Sequence, residues 1–586
     1  MDDPQAPSTP AAASPATGPA SSAGPGYWNA WLDRPVLLAG LGALLFMLAL
    51  EIWRPYFCLT DDNLNHSPVL VEEGRNIWAG RNPFVSQYLY EGNFVVTKEL
   101  PVLYQANPVA LLVSVLLVHT PFLYAIMDVV TTIYFIIAAM CTALLYVRLK
   151  QKYNLAVTNG LIVYITLSAN FSIYSLVIAS SCSVYVNNQS GLALILIGVI
   201  HDNVRRGFLW TAAGFAWMFM AGYPGTLIFT LVLMPFFLIP YCYYERRFTP
   251  LLSFFAGGIL SLLIVSPYMY WVGLGFAETK RVAALSTEEV IALSFPFPSS
   301  LVAFLIGLGD CLLFQLHYQW AGLAPEYSMA LPSSFAGVLL FCCWRPVKQI
   351  PAAAWCCLPV LALTFLLTDR PLWFQENVIR YIPLLNAMRW PLKELIFLIV
   401  FGHLFIVLTL PVVAPKKLLT LIVIGVAFWC LPLVTSGPPS ISFRENDLKA
   451  LTTGQADRYW AELKKKLPKD VIVVPACMDI GNDFWSLPQS SIANYFFGAQ
   501  FGVVTPYYYS PLRQTYQRPE GGTFSGFGHH APLPPRVEDF PDWMKKDERI
   551  RVLRAISLKP FHVELLNPSQ GTTEDVTPLW NEAARP

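Results

Sequence analysis

The chain has 586 residues, of which 55% are hydrophobic and 13% charged, with a formal net charge of +1 and a mean hydropathy of +0.48. A soluble globular chain carries about 25% charged residues, so this composition belongs to an integral membrane protein; the near-neutral charge, with no long basic tract, argues against a nucleic-acid binder. The eleven cysteines fall mostly inside apolar runs and form no C-x-x-C pair or zinc-spaced His/Cys cluster, which argues against a structural zinc site.

Residues 1–30 open with a Pro-, Ala-, Ser- and Gly-rich stretch that holds no basic residue, and they read as a disordered cytoplasmic N-terminus. They lack the basic start and apolar core of a signal peptide, so the first apolar run is expected to stay as an anchor. Crossing the hydrocarbon takes about 20 apolar residues. Runs of that kind lie near 35–53, 126–147, 155–174, 187–202, 207–222, 224–242, 251–272, 328–344, 351–368, 394–412 and 418–435. The expected fold is therefore an α-helical polytopic membrane domain over residues 31–435 with about eleven transmembrane helices. Two shorter apolar pieces, 108–118 and 300–314, read as re-entrant or interfacial.

Lys and Arg residues collect at every second boundary: Arg148, Lys150 and Lys152; Arg205 and Arg206; Arg246 and Arg247; Arg345 and Lys348; Lys416 and Lys417. The positive-inside rule puts those boundaries in the cytoplasm. Loops 54–107, 273–327 and 369–394 then face outward, as does the tail from 436 to 586. In that tail "ADRYWAELKKKLPKD" predicts an amphipathic helix, and "DVIVVPAC", "RIRVLRAI" and "FHVELLNP" predict strands. A small extracytoplasmic α/β domain is expected there.

The first outer loop opens "CLTDDNLNHSP". Asp61 and Asp62 stand just beyond the first span, followed by Asn63, Asn65 and His66 and then a predicted amphipathic helix, "PVLVEEGRNIWAG". The acids are a catalytic or cation-binding pair, or else Asp62 or Asn63 merely caps the helix. Lys98 and Glu99 add a possible second polar pair in the same loop. The third outer loop carries Arg380, Arg389 and Lys393, with Tyr381 and Trp390 beside them, on what reads as an interfacial helix. Guanidinium forks and an ammonium suit a phosphate headgroup; snorkelling cations with an aromatic belt explain the same residues without a ligand. Asp128 sits inside the second span, where an unpaired acid is costly. "VNNQSG", with its polar residues Asn187 to Gln189, starts the fourth span and lines a pocket or caps a helix.

One span, a long acid-bearing outer loop, many further spans, a late outer loop with "MRWPLKE" and a terminal outer domain together resemble the GT-C superfamily of polyprenyl-phosphate-dependent glycosyltransferases. "DDNLNHSPVLVEEGRNIWAGRNPF" followed by "NPVALL" resembles, more narrowly, the opening of YfhO-like bacterial membrane proteins. "RWPLKE" resembles their Arg-x-Pro-x-Arg element, with Lys393 in place of the second Arg. The resemblance implies an inner-membrane enzyme that moves a sugar from a polyprenyl-phosphate donor to an extracytoplasmic glycan, lipid or protein acceptor. Asp61 or Asp62 would be the base, and Arg389, Lys393 and Arg380 would hold the donor phosphate. His66, Lys98, Glu99, Asn187 and Trp390 are candidate substrate contacts. Some members hold a divalent cation beside the acids, which would place one at Asp61 and Asp62. The competing expectations are a transporter or lipid flippase, which the lack of internal repeats disfavours, and a non-catalytic envelope-glycan assembly protein.

Overall fold

The computed structural model describes most of residues 33–86, 107–277, 349–382, 394–410, 453–477 and 536–585, with short pieces elsewhere such as 94–95, 509–510 and 515–516. The predicted spans 328–344 and 418–435 lie wholly or mostly outside the described residues, as do the apolar piece 300–314, almost all of loop 273–327 and residues 1–30.

The N-terminal part is a helical bundle. Helix α1 (Arg34–Trp53) buries Val36, Ala39, Ala43, Met47 and Leu50 on one stripe, while Leu37, Leu41, Leu45, Leu48 and Ile52 stay exposed on the other. An outward stripe of bare leucine has a natural partner only in hydrocarbon. Helix α2 (Asp61–Trp78) and the ten-residue α3 (Pro108–Leu117) follow. Between them strands β1 (Val85–Ser86) and β2 (Phe94–Val95) pair antiparallel.

Helix α4 (Ile126–Tyr153) runs antiparallel to α1: Gly40 faces Met140 and Ile136, while Glu51 reaches Asp128 at the other end. Helices α5 (Asn159–Asn170) and α6 (Ile173–Ser181) are bent at 49° across their break. Helix α7 (Val184–Ile200) is buried along its whole length, which makes it the centre of the bundle. Around it stand α8 (Val204–Ala221), α9 (Pro224–Glu245) and α10 (Thr249–Ala277).

Helices α7 and α8 meet through small residues. A Cβ built on Gly198 would sit 2.5 Å from the Gly207 carbonyl oxygen, and one on Gly207 would sit 2.6 Å from that of Gly198. Only hydrogen fits at either position, and the backbones touch as they do in tightly packed membrane helices.

Farther on come α11 (Ala352–Asp369), the short α12 (Leu372–Asn377) and α13 (Ile396–Thr409). Four described helical stretches are long and apolar enough to cross a membrane; two bent pairs, α5 with α6 and α11 with the segment after it, raise the number to six. Helices α3, α7 and α13 are apolar but shorter, at 10–17 residues. The protein is thus a mostly helical, membrane-embedded chain. The described residues hold four to six candidate spans where the sequence suggests about eleven.

The last part forms a sheet with strand order β3-β6-β7-β8: β3 (Ile472–Cys477), β6 (Ile550–Leu558), β7 (Phe561–Asn567) and β8 (Thr572–Asp575). A two-stranded ladder, β4 (Tyr509–Ser510) with β5 (Thr515–Tyr516), lies between β3 and β6 in the chain. Strands β3 and β6 pair in parallel, with Ile472 opposite Ile550, and the remaining sheet pairs are antiparallel. Helix α14 (Gln455–Lys466) buries Tyr459, Trp460 and Leu463. Its Arg458 donates two hydrogen bonds, 3.0 and 2.8 Å, to the Ala583 carbonyl at the end of α16 (Thr577–Ala583). The five-residue α15 (Asp542–Lys546) precedes β6. One helix and three strands expected from the tail sequence all form.

Candidate functional site at the acid-bearing end of the bundle

The two ends of the bundle differ in chemistry. At one end the C-termini of α4 and α9 meet the turn between α7 and α8. Asp202 accepts from Lys152 at 3.0 Å and from Arg247 at 2.6 Å. The Tyr153 hydroxyl donates to Glu245 at 3.0 Å. Burial pushes the Asp202 carboxyl up, but the bonds from Lys152 and Arg247 outweigh it and hold the group below its ordinary value. The basic clusters after α4, after α7 and after α9 therefore share one end, as the spacing of Lys and Arg in the sequence requires.

The opposite end carries acids. Glu51, in the last turn of α1, accepts from the Tyr56 backbone N–H at 3.0 Å. Asp128, in the first turn of α4 and only 4% exposed, accepts from the Cys58 N–H at 2.7 Å. Tyr56 turns the chain through the left-handed region, at φ 61°. Ligand atoms of Glu51, Cys58 and Asp128 lie within 4.8 Å of one another. Two carboxyls this close can share a proton or clasp a cation. The donor set suits a hard divalent ion poorly, because such ions take six or more oxygens. Cys58 suits a soft ion no better: burial first, then the charges of Asp128 and Glu51, push its thiol well above the ordinary value, so it keeps its proton.

Helix α2 lies against this end. It starts at Asp61, seven residues before the start expected from Pro68, which lies inside the helix. Asn63 is therefore not a cap. Its amide donates to the carbonyls of Ala179 and Ser180 at 2.7 and 3.2 Å. Its oxygen accepts from the Ser183 N–H and hydroxyl at 3.1 and 3.2 Å. One buried side chain thus pins the first turn of α2 to the link between α6 and α7. Three turns further along, Gly74 lets α2 meet α3, since a Cβ there would fall 2.8 Å from the Ser114 carbonyl oxygen. The Trp78 indole N–H closes the hairpin on Val115 at 2.7 Å.

Two acids of α2 are buried: Glu72 and Glu73 are at most 2% exposed. Neither carboxyl oxygen of Glu73 has a hydrogen-bond partner among the described residues. Burial, with Glu72 beside it, pushes the Glu73 carboxyl well above its ordinary value. Tyr268 of α10 lies within electrostatic reach.

Of the residues singled out from sequence, Asp61 and Asp62 form the first turn of α2, and their side chains lie outside the described residues. His66 is buried on the same helix. Asn187 is buried near the start of α7, with Asn188 donating to Thr226 of α9 at 2.8 Å. Arg380 is exposed on a 3-10 turn, Ile379–Tyr381, after α12. Arg380 therefore does not stand on the interfacial helix expected to carry it with Arg389 and Lys393, because the turn ends at Tyr381 and Ile382 is extended (φ −98°, ψ 108°). Lys98, Glu99, Arg389, Trp390 and Lys393 lie outside the described residues.

Three residues escaped the sequence reading. Glu51 carries the same signal as Asp128, a lone acid in an apolar run. Glu73 lies in a segment that the sequence shows only as an amphipathic helix. Arg370 is buried at the left-handed end of α11 (φ 45°) and donates to the Leu385 carbonyl at 2.8 Å, so it holds the third loop in place.

The C-terminal part joins the same end. Tyr124, just before α4, donates its hydroxyl to Asp457 of α14 at 2.6 Å. No protein-family model matches the chain, and no curated protein is similar to it.

Proposed function

We propose that the protein is a membrane glycosyltransferase that takes a sugar from a polyprenyl-phosphate donor and passes it to an acceptor at the acid-bearing end of the bundle. The observation that carries this reading is the grip of Asn63 on Ala179, Ser180 and Ser183. It turns the backbone bearing Asp61 and Asp62 from a loose loop into an anchored helical turn, and fixed geometry is what an acid–base group needs. The basic end faces the cytoplasm of a bacterial inner membrane by the positive-inside rule. The acids and the C-terminal sheet are then extracytoplasmic, where a flipped lipid-linked sugar is presented.

In the proposed reaction an acceptor hydroxyl attacks the anomeric carbon and its proton passes to the carboxylate of Asp61 or Asp62. The bond from that carbon to the phosphate oxygen breaks, polyprenyl phosphate leaves with the electron pair, and the anomeric configuration inverts. Arg380, Arg389 and Lys393 supply positive charge to the departing phosphate. His66, Lys98, Glu99, Asn187 and Trp390 are proposed to contact donor or acceptor. A divalent cation beside the acids is not required by this route.

The test is complementation of a deletion strain with wild type, Asp61→Asn or Asp62→Asn, each checked for its level in the membrane. Surface glycans and polyprenyl-linked sugars are profiled by mass spectrometry. A lost general base lowers the rate by about 10²–10⁴, so one amide variant should lose a glycan modification and accumulate its lipid-linked donor. If both amides restore the wild-type profile, the acids are structural and the transporter or assembly reading replaces this one.

A further inference from the structure

At the basic end, away from the acids, α8 and α10 leave a groove of about 430 Å³ open to the outside of the bundle. This is the size of a small-molecule site. Its walls are Phe208, Leu209, Leu252 and Ala256, and its rim carries Arg205. Leu209 and Leu252 are more than half exposed, and Phe255 and Ile259 continue the bare apolar surface along α10. In a membrane-embedded chain that surface faces acyl chains.

Arg205 differs from Lys152 and Arg247, which stand at the same end. Lys152 and Arg247 are neutralised by Asp202 and Glu245, whereas Arg205 is exposed and has no acidic partner among the described residues. The local field is positive: the charges of Arg148, Arg206 and Lys152, after burial, help push the nearby His201 imidazole below its ordinary value.

We infer that this groove is a binding site for an anionic phospholipid, with one acyl chain against Phe208, Leu209, Leu252 and Ala256 and the phosphate on Arg205. Charge complementarity selects the ligand. An unpaired guanidinium at the membrane surface beside an apolar slot recognises a lipid with net negative charge over a zwitterionic one, as basic sites beside membrane helices do. A guanidinium also matches phosphate oxygens two at a time. The site is separate from the proposed transferase chemistry and stands whether or not that reading holds.

The test uses the delipidated full-length protein in mixed micelles of phosphatidylcholine doped with phosphatidylglycerol, with retained lipid counted by native mass spectrometry. Wild type should retain phosphatidylglycerol in preference to phosphatidylcholine. One surface cation contributes about 1 kcal/mol, so Arg205→Gln should weaken retention roughly fivefold. Ala256→Phe, which fills the groove and leaves the charge, should weaken it as well. Arg148→Gln, which removes a cation on another helix at the same end, should not. Equal retention of the two lipids by wild type overturns the proposal. Undiminished retention by both Arg205→Gln and Ala256→Phe overturns it too, since the lipid would then be held by the general charge of this end.

Discussion

Glu73 is the residue whose chemistry departs most from its sequence context. It lies within a segment whose pattern is that of an amphipathic helix, yet it is fully buried on α2. The unfolded chain releases this proton near the ordinary value of 4.5, while burial makes the folded protein keep it to higher pH. Between those two values the folded state binds more protons than the unfolded one, so this group's contribution to stability falls as pH rises above about 4.5. Glu73→Gln removes that cost. Thermal unfolding in detergent should find the Gln variant more stable than wild type at pH 7–8, by about 1–3 kcal/mol, with the difference vanishing near pH 4. A variant less stable than wild type at neutral pH would mean that Glu73 is ionised and paired.

Pattern reading failed here because charge in a helix next to a membrane is ordinarily solvent-facing. Only the packing of α2 against α3, α4 and α6 reverses that. Pro68 misled in the same way. A proline is favoured at the first helical position, so the helix seemed to begin there, whereas the grip of Asn63 extends the helix back to Asp61 at the cost of one backbone hydrogen bond.

At the scale of elements, the seam between α7 and α8 carries the centre of the bundle. Gly198→Ala would force a Cβ to within 2.5 Å of the Gly207 oxygen and 2.7 Å of the Thr211 nitrogen. The backbones would have to part, an overpacking cost of about 1–3 kcal/mol. Gly402→Ala in α13 meets nothing within 4 Å, and alanine is the better helix former by up to about 1 kcal/mol. Unfolding measurements on the two variants should therefore move in opposite directions. If Gly198→Ala is as stable as wild type, the helices do not approach as described.

Element positions were largely legible. The apolar runs near 35–53, 126–147, 224–242 and 251–272 each contain a long apolar helix, and the amphipathic and alternating patterns in the tail mark α14, β3, β6 and β7. Composition cannot tell a spanning helix from a short buried one such as α7, nor show the bend between α5 and α6. The approach of Glu51 to Asp128, 77 positions apart in the chain, leaves no local trace at all.

Over the whole molecule, chemistry is divided between two ends. One binds Lys152, Asp202, Glu245 and Arg247 into a charge network. The other gathers Glu51, Asp128, the pinned start of α2 and, through Tyr124 and Asp457, the C-terminal sheet. A transferase acting on a lipid-linked sugar needs this separation, because donor and acceptor meet on the face away from the cytoplasm. The claim is tested most directly by membrane-impermeant thiol labelling of single cysteines in a cysteine-free background. One replaces Asn203 in the turn between α7 and α8, and the other replaces Gln570 between β7 and β8, both exposed. In intact cells Gln570→Cys should label and Asn203→Cys should label only after permeabilisation. Labelling of both from the same side would contradict the division between the two ends, and with it the proposed site.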